Sequence, residues 1–344
     1  MPNRLPGPFD RCRVAPPGAT AAGVNFIRAL GLLTLLMVGC APAAPDGADA
    51  VDLRGAARFG GAFHPRHAPY GGFGGATGCT AARPPVILLH GNSESADDWL
   101  RSSSDGGPSV PARLAAAGYR GCELFAVTWL PAASRSLKQL HVHDAAEADQ
   151  VAGFIDDVLA YTGAARVDLI GHSMGVTVGL HALDRDQRWS RVRRFVSIAG
   201  GLRGLASCLP WGSANPATPV CWAQSLTDPD LFGYYPLFNP RMEAGGFRDR
   251  PAQHPEVLFY GLRAGSSDEI LCPSCDSALF DAAPNVRAQL DVGVGTPLEG
   301  NHDDTSGVGH LRARRDTGQI QAAMLTSDCA GAACCAAYAG ACRE

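Results

Sequence analysis

The stretch Val167-Asp168-Leu169-Ile170-Gly171-His172-Ser173-Met174-Gly175 constrains this chain more than any other. A short strand pattern runs straight into Gly-x-Ser-x-Gly, and a helical pattern follows at once. A sharp strand-to-helix turn leaves no room for Cβ atoms beside the serine and requires backbone angles that glycine tolerates. Such a turn holds the Ser173 hydroxyl at the end of the strand. The N–H groups that open the next helix then face any negative charge developing there. The pentapeptide alone does not decide the matter, since glycine is common here (41 residues) and a glycine-rich strand end with an exposed serine reads the same way.

The rest of the chain supplies the frame. Continuously apolar runs, as expected of buried parallel strands, occur at 84–89, 124–129, 167–170, 195–199, 257–262 and 286–294. Helical patterns lie between them. Val151, Phe154, Ile155, Val158 and Leu159 form one apolar stripe at helical spacing, with Asp144 and Glu147 resembling a capping box and Gly163 closing the end. Further helices are expected from Met174 to about Leu183 and from about Thr317 to Leu325. Strands alternating with helices predict an α/β domain with a mostly parallel six-stranded sheet. The segment of about 201–255 breaks the alternation. It carries Trp211, Trp222 and the aromatic run 231–238, and reads as a cap or lid, or as a loop folded on its own small core.

Before the domain, Arg28 precedes the apolar run 29–39, which is too short to anchor in a bilayer but suits an export signal, with a true start expected near Val24. Cys40 follows and resembles a lipidation site, although Met37 departs from the usual pattern. Residues 1–39 are therefore read as a signal peptide, 40–78 as a tether and N-terminal extension, 79–328 as the catalytic domain with its cap, and 329–344 as a cysteine-rich tail. A lipid on Cys40 would give membrane association without a spanning helix. Of twelve cysteines, ten remain after Cys12 and Cys40, an even number that fits an oxidising compartment. Short spacings pair Cys208 with Cys221 and Cys272 with Cys275. Cys329, Cys334, Cys335 and Cys342 supply two more bridges, which leaves Cys79 with Cys122. The net charge of −4 and the lack of a basic tract argue against a nucleic-acid partner.

A serine hydroxyl needs a base within hydrogen-bond reach, and the base needs an orienting acid. The acid is expected after a late strand; Asp268 in Gly265-Ser266-Ser267-Asp268-Glu269 is the choice, with Glu269 pointing elsewhere as the fallback. The base is expected after the last strand. His310 in Gly307-Val308-Gly309-His310 is preferred, and His302 in an acidic loop is the alternative. A tetrahedral intermediate needs two N–H donors; these fall on Met174 and on the backbone of Asn92, after Leu89-His90-Gly91. His90 reads as structural. His141, His143 and Asp144 read as surface residues rather than a metal site, and Glu299, Asp303 and Asp304 lack a calcium-loop pattern. No cofactor is required, no metal-ligating residues are marked, and metal dependence stays open.

The blocks Val86-Ile87-Leu88-Leu89-His90-Gly91, Gly171-His172-Ser173-Met174-Gly175, Ser266-Ser267-Asp268 and Gly307-Val308-Gly309-His310 resemble the α/β-hydrolase superfamily. Within it they look most like small bacterial lipases of the Bacillus lipase A type and related extracellular polyhydroxyalkanoate depolymerases. The resemblance implies an α/β-hydrolase fold and carboxylic-ester hydrolysis with Ser173, Asp268 and His310 as triad, and Asn92 and Met174 as oxyanion donors. The cap, the cysteines and the tail depart from the smallest lipases and leave the substrate open, whether a soluble ester, a lipid or a polyester. A peptidase or thioesterase on the same fold and a non-catalytic surface-binding lipoprotein are the other readings.

Overall fold

Alternate side chains of a strand point to opposite faces of its sheet, so a run that is apolar throughout must be covered on both. In β3 (Val86–Leu89) Ile87 and Leu89 join one buried cluster while Val86 and Leu88 join another, and all four are fully buried. The computed structural model describes residues 58–137, 145–185, 187–203, 251–272, 275–295 and 307–344. Among these it places eight strands. β1 (Arg58–Phe59) and β2 (Gly72–Gly74) precede β3, and β4 (Leu124–Val127), β5 (Val167–His172), β6 (Val192–Ile198), β7 (Leu258–Arg263) and β8 (Val286–Asp291) follow it.

The sheet order is β1-β2-β4-β3-β5-β6-β7-β8. β3 to β8 pair parallel throughout, and β2 joins β4 antiparallel. The six apolar runs are all strands, but the sheet has eight rather than six. β1 is two residues long and β2 is three with two glycines, so no apolar run marks them; β2 is recruited by backbone pairing to β4.

Among the described residues five helices cover the faces: α1 (Val110–Ala116), α2 (Ala145–Thr162), α3 (Met174–Arg185), α4 (His310–Arg315) and α5 (Gly318–Thr326). The apolar stripe of α2, from Val151 to Leu159, packs with α3 on one face. Each large side chain fully buried this way stabilises by about 1.5–3 kcal/mol. Gly163 ends α2 with φ +68° and an N–H bond of 2.9 Å to the Leu159 carbonyl, as the sequence predicts. Val110 and Leu114 of α1 pack with Ile320 and Met324 of α5 on the other face. α1 and α4 are short and escape periodicity. Asp144, which would cap α2, lies outside the described residues.

Among the described residues four disulfides close loops: Cys79–Cys122, Cys272–Cys275, Cys329–Cys334 and Cys335–Cys342. The first ties the approach to β3 to the start of β4, where the buried Glu123 carboxylate accepts N–H bonds from Ala82, Arg83 and Arg120. These bridges fit an oxidising compartment. Cys208 and Cys221 fall outside the described residues. Among the described residues no helix is long and apolar enough to cross a membrane.

β3 leads to β4 on one side and the chain returns to β5 on the other. Ligands of open parallel sheets bind at such a switch point, outside the carboxyl ends of the strands. The carboxyl end of β5 is His172.

Candidate active site

Ser173 follows β5 and precedes α3, and its φ of +53° is one of five positive values at described non-glycine residues. For a residue with a Cβ this is a strained conformation that persists only where surroundings enforce it. Here its N–H donates to the Ile198 carbonyl at 2.8 Å and its carbonyl accepts from Val176 N–H at 3.0 Å. The flanking glycines serve space rather than unusual angles, which corrects half of the sequence argument. A Cβ on Gly171 would lie 2.8 Å from the Val176 Cα, and one on Gly175 would run into the carbonyl oxygens of Leu89 and His90. The strained angle sits on the serine itself.

Asp268 leaves a 3-10 turn (Gly265–Ser267) after β7, and His310 opens α4. The structure brings them together. His310 Nδ1 lies 2.9 and 3.0 Å from the two Asp268 oxygens, and both side chains are buried. Oδ1 also accepts from the N–H groups of Ile270 (3.0 Å) and Leu271 (2.8 Å). A proton on Nδ1 satisfies the carboxylate and leaves Nε2 with its lone pair, the state a general base needs.

Burial alone raises the Asp268 carboxyl, but the His310 charge and hydrogen bond, then the two backbone N–H groups, outweigh it and hold it below the usual carboxylate range. Burial alone lowers His310. Asp268, through charge and hydrogen bond, outweighs that, with Glu269 and Glu94 adding to it, and the imidazole stands above its ordinary value.

Glu269 does not point elsewhere. Its Oε2 accepts the backbone N–H of His310 at 2.9 Å, at the N-terminus of α4, where a carboxylate also meets the helix dipole. Neighbouring acids therefore hold one histidine by ring and by backbone.

His90 is structural. It is buried, stacks on Trp129 with ring centroids 4.9 Å apart, donates from Nδ1 to the Gly91 carbonyl at 2.8 Å and accepts the Trp129 N–H at Nε2. Burial pushes it down to about 4, so it stays neutral. The following turn comes close to the serine: a Cβ on Gly91 would lie 3.1 Å from the Ser173 Cβ. Asn92 is next in that turn, and Met174 is the buried first residue of α3.

Sequence reasoning passed over three further residues. Glu94 Oε2 accepts the Gly91 N–H at 2.8 Å and lies 3.1 Å from His172 Nδ1, while Glu94 Oε1 pairs with Arg314. His172 Nε2 lies 3.2 Å from the His310 carbonyl oxygen, and the two rings are 4.9 Å apart. These groups lie up to 220 positions apart in the chain, and no motif joins them.

His302, His141, His143, Asp144, Glu299, Asp303 and Asp304 lie outside the described residues, as do Cys40 and 204–250 of the cap segment. At the two described ends of that segment, Arg203 donates to the Leu279 carbonyl and His254 stacks on Trp189 with ring centroids 3.8 Å apart. Among the described residues no group of three His, Cys, Asp or Glu is placed to hold a metal ion.

A mostly parallel sheet wrapped by helices, with a serine on the turn after β5 and an acid and a histidine after β7 and β8, is the α/β-hydrolase fold. Residues 83–225 match the family model described as Lipase (class 2), a span holding Asn92, Ser173 and Met174 but not Asp268 or His310. The match covers less than half of the chain and says what that span is similar to. Similar solved structures include Bacillus licheniformis lipase BlEst2 in mature form (16% identity, TM-score 0.38, 57% of this chain and 71% of that one). The same lipase in propeptide form gives 16% identity and a TM-score of 0.47, over 75% and 54% of the two chains. Aspergillus fumigatus lipase B gives 18% identity and 0.45, over 81% and 64%. The chain thus spans less than two thirds of the length of the last two. A search of the curated proteins returns no match.

Proposed function

We propose that the protein is a serine carboxylic-ester hydrolase acting through an acyl-enzyme on lipid or other apolar esters. The observation that carries this reading is the buried Asp268–His310 hydrogen bond, with His310 packed against the residue preceding Ser173. Ser173 Oγ attacks the ester carbonyl carbon while His310 Nε2 takes the hydroxyl proton. Asp268 keeps the proton of Nδ1 in place and stabilises the imidazolium that forms. The backbone N–H groups of Asn92 and Met174 receive the oxyanion. Collapse expels the alcohol, which takes its proton from His310. Water, activated by the same histidine, then attacks the acyl-enzyme, and the serine regains its proton. No metal enters any step.

The test is hydrolysis of p-nitrophenyl butyrate and palmitate by purified protein, with Ser173→Ala as control. The wild type should turn over at least one ester and the variant neither. Equal or absent activity in both proteins defeats the enzyme reading, and preference for chromogenic peptides moves it to a peptidase.

We further propose that the protein is exported and anchored through a lipid on Cys40. The charged and apolar run before Cys40 and the disulfides support export. Mass spectrometry of the N-terminal peptide from the mature protein should show cleavage before Cys40 with a diacylglyceryl adduct; an unmodified Cys40 inside a longer peptide refutes it.

A further inference from the structure

The His310 ring is fixed by Asp268, but something must also fix the distance between α4 and the turn after β3. Both carry groups that must meet one reacting carbon, and they come from opposite ends of the domain. One carboxylate spans them. Glu94 Oε2 holds the Gly91 N–H, one residue before Asn92. Its Oε1 pairs with Arg314, one helical turn after His310 on the same face of α4. His172, the residue before Ser173, bonds into the middle. Burial pushes the His172 ring down to about 4, so at neutral pH it carries one proton and serves one acceptor at a time; the carboxylate is the stronger.

Burial alone raises the Glu94 carboxyl. Arg314, then His172 and the Gly91 N–H, outweigh it and hold Glu94 charged. The Arg314 side chain is buried too, and its guanidinium lies over the Trp99 ring at 5.5 Å.

We propose that Glu94 is a positioning residue that sets the oxyanion turn, the serine elbow and the His310 helix in register through its Gly91, His172 and Arg314 contacts. This rests on the ester-hydrolase reading. It touches no substrate atom. A stabilising ion pair alone would not need the Gly91 and His172 bonds, and that difference can be measured.

The variants are Glu94→Gln, Arg314→Met and the double Glu94→Gln/Arg314→Met. Each single change strands a buried partner and should lower the melting temperature. The double removes both charges, and such replacements of a buried pair are often neutral. Rates on p-nitrophenyl butyrate are taken where circular dichroism shows every variant folded. The double variant should recover the melting temperature while kcat stays about 10²-fold below wild type and KM moves less than about threefold, since small misplacements of reacting groups cost that much. Arg314→Lys should restore part of kcat. A double variant whose kcat returns with its stability overturns the proposal.

The readout that needs no turnover is the downfield Nδ1 proton of His310. Its solvent exchange should quicken in the double variant; unchanged exchange at recovered stability also overturns the proposal. If wild type hydrolyses neither ester, the ester-hydrolase reading falls, and this proton still decides whether Glu94 holds the histidine.

Discussion

Replacing Asp268 by Asn tests the acid and the base together. Both Asp268 oxygens face His310 Nδ1, Oδ1 at 2.9 Å and Oδ2 at 3.0 Å, and Oδ1 alone also takes the N–H groups of Ile270 and Leu271. An asparagine must put its carbonyl oxygen where the two backbone N–H groups are, or leave both facing an NH₂ group in a buried site. Its NH₂ then faces His310 Nδ1. An NH₂ donating to Nδ1 favours the other tautomer, with the proton on Nε2, where the ring can no longer accept one from Ser173. A wrong tautomer costs about 10³–10⁴ in kcat, or about 4–5.5 kcal/mol of barrier. Two of the acid's hydrogen bonds survive, so the variant should fold. The assay is kcat for p-nitrophenyl butyrate at neutral pH, with circular dichroism as the folding check. Glu269→Gln is the control. Its Oε2 takes the His310 backbone N–H, which an amide oxygen also accepts, and the variant should lose less than about tenfold. A folded Asp268→Asn within tenfold of wild type, or a larger loss in Glu269→Gln, refutes the assignment.

The pH profile carries a sign that can be worked out. His310 stands above its ordinary 6.5, so activity should rise as pH climbs through that raised value and the ring becomes neutral. Stability from its pairing is fully present below about 6.5 and is lost across the same rise, so the melting temperature should drift down as activity climbs; parallel trends would contradict this. Asp268, held below its ordinary value, contributes stability above about pH 3.9 that is lost as pH falls through its folded value, measurable as acid unfolding. Gly175→Ala drives a methyl group into two backbone carbonyls and should destabilise by about 3 kcal/mol in urea unfolding; a loss under about 1 kcal/mol would mean that the elbow yields. Cys79→Ser/Cys122→Ser opens a 43-residue loop and should cost about 3–4 kcal/mol with little change in kcat; an unchanged urea midpoint would count against it.

The legible parts of the sequence were those where one local constraint has one solution. A run apolar on both faces has to be a covered strand, and β3 through β8 follow. Gly-x-Ser-x-Gly after such a strand leaves one place for the serine. Asp268 and His310 could be chosen because the order of strands limits where a side chain can return to the carboxyl edge. What was hidden depends on tertiary partners. β1 and β2 exist because β4 has an unpaired side. Glu269 was judged by its neighbour, when its partner is a backbone group 41 positions away. Glu94 resembles any polar residue of a loop until Arg314 arrives from the far end of the chain.

The tail has a consequence of another kind. Asp291, the last residue of β8, exchanges two backbone hydrogen bonds with Arg343, and Cys334 is buried beside that edge. An open sheet ends in unpaired N–H and carbonyl groups that can recruit a strand from another molecule. The knot of Cys329–Cys334 and Cys335–Cys342 acts as a stopper on that end. A chain truncated at 328 would keep every residue assigned to the chemistry and lose its protection against self-association, so its first defect should appear in light scattering rather than in turnover.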